Sequence, residues 1–306
     1  MSDSTPPHRF RSGGTPHANR RGPRHPIRPQ HKGPKPPEDP LVQTLLRLAE
    51  ETSALLGPAL PAEFYRTVFG GLLQRHSIPH QCQPLTILRH RDQIADRFSC
   101  DFLCGGTALV NIHSTAAGEF SHDEIAAAAA SQKQFNARHA LLLDFSREEP
   151  SHRRLAQAPD SFPSVSQEQM TRGIPVDKAD EPRIALLCRS LLRIGRAHGL
   201  GYAEKSYLGL LMAEFAADSL DCRLEPVVTF SAAGHTFGEI KLRHCMEIQR
   251  SGVLLVTAQR EGIRMLDRAW LHTALLQLHL PWGLVAHFGR RHFEWRWVTL
   301  HDRPAK

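Results

Sequence analysis

The densest run of chemically capable side chains lies near the end of the chain: His287-Phe288-Gly289-Arg290-Arg291-His292-Phe293-Glu294-Trp295-Arg296-Trp297. Guanidinium groups hold phosphates and aromatic faces stack on bases, so this mixture suits a nucleic-acid backbone. On a strand the run also alternates, with Phe293, Trp295 and Trp297 on one face and Glu294 and Arg296 on the other. That pattern equally suits a terminal strand with a buried aromatic face. A second basic group, Arg89-His90-Arg91-Asp92, reads as a charged hairpin tip. A third lies in residues 1–40, where Arg20, Arg21, Arg24 and Arg28 stand among ten prolines. So many prolines forbid a continuous helix or sheet, and the segment reads as a disordered cationic arm that holds phosphates non-specifically. No Gly-x-Ser-x-Gly elbow and no Gly-x-x-x-x-Gly-Lys loop occurs. The six cysteines form no Cys-x-x-Cys pair, so zinc-ribbon spacing is absent.

The elements that must position these groups follow from composition and periodicity. The 306 residues are 41% hydrophobic, enough for real cores and about two ordinary domains. The formal net charge is +7, of which residues 1–40 carry +5 from eight basic and three acidic side chains. The remaining 30 basic and 28 acidic groups nearly cancel. Neither a membrane span nor a signal peptide is expected, and scattered cysteines point to reduced thiols in the cytoplasm, mostly buried and inert. Leucines at helical spacing predict a helix from Leu41 to the Gly57-Pro58 stop, then a second over 60–76. Strands are expected at 83–89, 95–104, 107–113 and 139–145, with a hairpin at Gly105-Gly106 and a helix over 121–136. Residues 157–181 are polar and linker-like. Beyond them helices are expected at 183–198, 203–220 and 263–279, and strands at 223–230, 238–248, 252–259, 282–288 and 291–299.

The second set of elements echoes the first. Tyr65 lies 18 residues before Gln83-Pro84-Leu85, and Tyr207 lies 18 before Glu225-Pro226-Val227. Tyr65 is 80 residues before Phe145, and Tyr207 is 81 before Phe288. The expectation is an internal repeat of one α/β module.

Gly201-Tyr202-Ala203-Glu204-Lys205-Ser206-Tyr207 is a literal Gly-x-x-Glu-x-x-Tyr motif. Leu56-Gly57-Pro58, Ala59, Ala62 and Tyr65 form a looser copy, with Ala59 for the glycine and Ala62 for the glutamate. Phe98 to Leu103 and Leu141-Leu142-Leu143-Asp144-Phe145 resemble further strands of the same family. The chain thus resembles the GxxExxY family of the PD-(D/E)xK restriction-endonuclease-like superfamily. The implied fold class is α/β, a tandem duplication of a PD-(D/E)xK nuclease-like module (helix, mixed β-sheet, helix, strand). The implied division is a basic arm over 1–40, a module over 41–156, a linker over 157–182 and a second module over 183–306.

The resemblance implies an Asp on one strand and a Glu ten residues on, holding Mg²⁺ through hard oxygens, with a Lys two places further on the same face. Counting from Asp101, Asn111 stands for the Glu and His113 for the Lys. In the second copy Glu247 is expected at the Asp position, Thr257 for the Glu and Gln259 for the Lys, with Glu204 retained on the helix. Ala127 and Trp270 stand where the family carries a helical Gln. Both sites therefore read as degenerate. No cofactor is expected, or Mg²⁺ at Asp101 and Glu247 if activity remains. The expected function is a non-catalytic module that binds DNA, RNA or protein, with Arg20, Arg21, Arg24, Arg28, Arg290 and Arg291 on nucleic acid. The alternatives are an active metal-dependent nuclease with a rearranged site, using Asp101 with His113 or Glu204 with Glu247, and a structural assembly protein.

Overall fold

Asp39 opens the first helix. Its side chain accepts a hydrogen bond from Leu41 N, and Pro40, which has no N–H to lose, takes the first helical position. The first helix thus begins just ahead of the expected Leu41. The computed structural model describes residues 39–114, 119–157, 162–172, 174, 177–258 and 260–300, with backbone alone at 230–232. Arg20, Arg21, Arg24 and Arg28 lie outside the described residues, as does Gln259.

Helix α1 (Pro40–Leu56) buries Val42, Leu45, Leu48 and Ala49 and ends at Gly57, whose φ of 73° needs a residue without a Cβ. Helix α2 (Ala62–Arg75) buries Tyr65, Phe69, Leu72 and Leu73 against it. The strands β1 (His80–Cys82), β2 (Leu85–His90), β3 (Gln93–Ser99), β4 (Phe102–Cys104) and β5 (Ala108–His113) come next. They are followed by α3 (His122–Gln134), β6 (His139–Asp144) and β7 (Ser151–Leu155). Five strands form a sheet in the order β1-β4-β5-β6-β7, in which only β5 and β6 run parallel. β2 and β3 form a separate hairpin with a bulge after Leu88. The expected strand over 95–104 is therefore two strands in different sheets, broken at Cys100-Asp101. β7 escaped the sequence reading because it is an edge strand with one buried apolar residue, Leu155.

The second half adds α4 (Gln167–Thr171), α5 (Glu181–His198) and α6 (Glu204–Ala217). Strands β8 (Cys222–Leu224), β9 (Val227–Ala232), β10 (His235–Lys241), β11 (Cys245–Ile248) and β12 (Gly252–Ala258) follow, then α7 (Met265–Leu278), β13 (Trp282–Phe288) and β14 (Phe293–Thr299). Its five-stranded sheet has the order β8-β11-β12-β13-β14, again with one parallel pair, β12 and β13, and β9–β10 is again a bulged hairpin. The structure is thus mixed α/β, with two mixed sheets and seven helices among the described residues.

The paired landmarks also match in space. Tyr65 stacks on Phe145 with ring centroids 4.5 Å apart, and its hydroxyl donates to Gly57 O at 2.7 Å. Tyr207 stacks on Phe288 at 3.9 Å and donates to Gly199 O at 3.0 Å. In each half the tyrosine staples the end of one helix to the end of a parallel strand.

The stretch 157–182, read as a polar linker, carries α4, and its Met170 is fully buried against the second core. Trp297 Nε1 donates to Met170 O at 2.7 Å. The halves also share apolar surface: Leu88, Phe98 and Ala130 belong to the same cluster as Leu211, Phe215 and Leu254. Hairpin β2–β3 lies against α6 so closely that a Cβ at Gly209 would stand 2.1 Å from Ala95 O. Of the six cysteines, all unpaired with one another, Cys82 is exposed and Cys222 half-buried. Burial pushes the thiols of the other four up to about 12, which makes them poor nucleophiles. No described helix is long and apolar enough to cross a membrane.

At the seam, Glu214 of α6 is fully buried. It accepts from His90 Nε2 at 2.6 Å and Arg91 Nε at 2.9 Å, both at the tip of the β2–β3 hairpin, and pairs with Arg193 of α5. Burial alone would raise its pKa. The Arg91 and His90 hydrogen bonds, with the Arg193 and Arg91 charges, outweigh that and hold it at about 2. We expect Glu214→Ala to cost about 3 kcal/mol, the low end for breaking a buried ion pair because Arg91 and Arg193 reach solvent, measured by denaturant unfolding. His198 Nε2 lies 2.9 Å from His90 Nδ1. Burial, then the charges of His90 and Lys133, push His198 down to about 4 from 6.5. The unfolded chain therefore takes up that proton first, so stability is full above 6.5 and is lost as pH falls toward 4. Tm should decline over that window, and His198→Gln should flatten the decline. Glu214 loses its share only at lower pH, between its ordinary 4.5 and about 2.

Candidate functional site

The ladder puts Asp101 opposite Asn111, since Phe102 pairs with Val110. His113 follows on the same face of β5. The first predicted set is therefore brought together, and its atoms are already engaged. Asp101 Oδ1 lies 2.7 Å from Arg66 Nε, in an ion pair set off the N–H axis. Its Oδ2 accepts Ile112 N at 2.6 Å. Asn111 Oδ1 accepts Asp101 N at 3.2 Å. His113 Nδ1 sits 2.8 Å from Glu124 Oε1, with the ring edge-on to Phe120. Mg²⁺ demands near-octahedral oxygen donors. Here one carboxylate and one amide supply the oxygens, each already hydrogen-bonded, and the Arg66 guanidinium supplies the positive charge. These residues do not fit Mg²⁺.

The second predicted set is not brought together. His113 pairs with Asp144 just before Phe145, and Thr257 pairs with His287 just before Phe288. Thr257 thus holds the position of His113, Leu255 that of Asn111, and Cys245, which pairs with Leu255, that of Asp101. A backbone bond agrees: Gln83 N donates to Asp101 O, and Glu225 N to Cys245 O. Glu247 is therefore corrected from the Asp position. It pairs with Val253, four residues from Thr257 along β12, or about 13 Å at strand rise. There it forms a 2.5 Å ion pair with Arg223. The expected register set Thr257 at the Glu position and reached Glu247 by a ten-residue count; the strand pairing shifts Thr257 two places, to the Lys position. Glu204 Oε1 accepts Ala258 N at 3.0 Å, tying the start of α6 to the end of β12. Gln259 lies outside the described residues. Ala127 is exposed, and Trp270 packs against the core under α7.

The other predicted residues, Arg290 and Arg291, do meet partners. They lie in the turn between β13 and β14 and line a cleft of about 780 Å³. Arg260 and Arg264 border it from the loop before α7, and Arg153 reaches in from β7 of the first half. Among the described residues Glu261 is the one carboxylate on the lining. Asp267 offsets Arg260 at 3.0 Å. Burial, then the charge of Arg153, push the Arg290 guanidinium below its ordinary pKa. A neighbouring hollow of about 550 Å³ shares Arg260 and Arg264 and adds Lys241 and Arg243 beside Thr257 and Leu255. Five arginines around one opening are suited to anions, and phosphate oxygens match their planar donor sets. The sequence reading found Arg290 and Arg291 from the basic run. It missed Arg66, Arg153, Arg260 and Arg264, since no local pattern joins β7 to the β13–β14 turn. The aromatic members of the run face inward instead: Phe293 is buried, and Trp295 and Trp297 pack on the second core.

Asp101 acts as a strut in this geometry. Asp101→Ala leaves Ile112 N without its acceptor and should cost about 1–3 kcal/mol, whereas Asp101→Asn keeps an acceptor and should cost less, both by chemical denaturation. Compared with known proteins, the chain matches no family model and no curated sequence, so its function is argued from this geometry.

Proposed function

We propose that the chain is a nuclease-fold protein of the GxxExxY, PD-(D/E)xK type, built as a tandem duplication in which both catalytic positions are retired, and that it binds nucleic acid. The shared strand order of the halves and the two Tyr–Phe stacks support the duplication. Retirement is supported by the Arg66–Asp101 pair in one half and by Cys245, Leu255 and Thr257 in the other. The arginine cleft carries the binding function: five guanidinium groups converge from both halves with few carboxylates among them. Such a surface recognises the phosphodiester backbone rather than bases, because the aromatic side chains of β14 are turned into the core.

Fluorescence anisotropy with labelled single- and double-stranded oligonucleotides tests this. The logarithm of affinity should fall linearly with the logarithm of salt concentration, and Arg290→Ala or Arg291→Ala should each reduce the slope by about 0.7–0.9. A chain lacking residues 1–38 should keep that cleft-dependent part. Incubation of the substrates with Mg²⁺ or Mn²⁺ should leave them intact. Cleavage that disappears in Asp101→Ala would overturn retirement.

A further inference from the structure

Three potential metal ligands gather where β13 meets β14. His287 and Glu294 are cross-strand partners, and His292 precedes Glu294 on the same face. The ligand atoms of all three lie within 4.8 Å of one another. The intervening turn closes this tightly because residue 289 is glycine. A Cβ there would stand 2.9 Å from His292 O and 3.0 Å from His287 Nε2. The buried His287 ring is oriented from behind, its Nδ1 2.8 Å from the Thr257 hydroxyl. Among the described residues its Nε2 hydrogen-bonds only Arg260 O, at a long 3.3 Å. Glu294 Oε1 accepts Ile263 N, which fixes the carboxylate.

We propose that His287 Nε2, His292 and Glu294 bind one divalent transition-metal ion of the Zn²⁺ class. Two borderline imidazoles beside one hard carboxylate suit Zn²⁺ or Co²⁺ and not Mg²⁺, which prefers oxygen donors alone. Zn–N and Zn–O bonds of about 2.0–2.2 Å require the donors to draw closer together. The exposed His292 can supply that movement by side-chain rotation. Thr257, at the position of a retired catalytic residue, would then hold the ligating ring through its second nitrogen, as metal-bound histidines generally require. Three protein ligands leave a fourth position. His292, Arg290 and Arg291 line the same cleft, so a phosphate held there would offer an oxygen for that position.

The test is a titration of the full chain with Co²⁺, followed by its visible absorption bands, and with Zn²⁺ in competition with a chromophoric chelator. One equivalent should bind. His292→Ala and Glu294→Gln should each weaken binding at least 100-fold, and Thr257→Val about 10-fold, with circular dichroism and Tm showing that each variant is folded. If the wild-type chain binds no more tightly than His292→Ala, or if the Co²⁺ spectrum is unchanged in both ligand variants, the site is refuted. No oligonucleotide is present in this titration, so its outcome is separate from that of the binding function.

Discussion

A buried carboxylate with three cationic or hydrogen-bonding partners sits at the centre of this molecule. Glu214 is fully enclosed, and its position is tolerable only because His90, Arg91 and Arg193 come to meet it. His90 and Arg91 belong to the first half and Glu214 and Arg193 to the second. The charge cluster therefore works as a lock on one relative placement of the halves. An apolar seam alone would tolerate sliding, whereas a desolvated charge is costly in any position that leaves it unpaired. Gly209 lets the hairpin approach α6 closely enough for the lock to close. With the seam set, Arg153 of the first sheet faces Arg260, Arg264, Arg290 and Arg291 of the second.

The two sheets treat the same positions in different ways. In the first half Asp101 stands there, and its oxygens are engaged by Arg66 and a backbone N–H. In the second half, cysteine, leucine and threonine occupy the equivalent places, and Thr257 bonds to His287. In both halves polar groups at these positions are engaged by other groups of the protein.

The legible parts of this fold were those written in short-range periodicity. The helices α1, α2, α3, α5, α6 and α7 followed from leucine and alanine spacing, and β6, β12 and β13 from unbroken apolar runs. The Tyr–Phe pairs were visible as equal sequence separations. Strand β7 and helix α4 were not legible, because one carries a single inward residue and the other lies in a polar stretch held by Met170. In the second half the site register was lost, since a residue count across two hairpins drifts by a place or two and alternation turns a small slip into a different position.

By itself the sequence determined that two similar sets of helix and strand patterns follow a basic, proline-rich stretch. Those are properties of residue type and spacing, which survive without coordinates. Only the tertiary structure decided which groups meet. Arg66 on Asp101, Thr257 on His287, and Arg153 beside Arg290 join residues far apart in the chain. Their proximity depends on strand pairing and on the seam closed around Glu214, and neither is encoded in any local pattern.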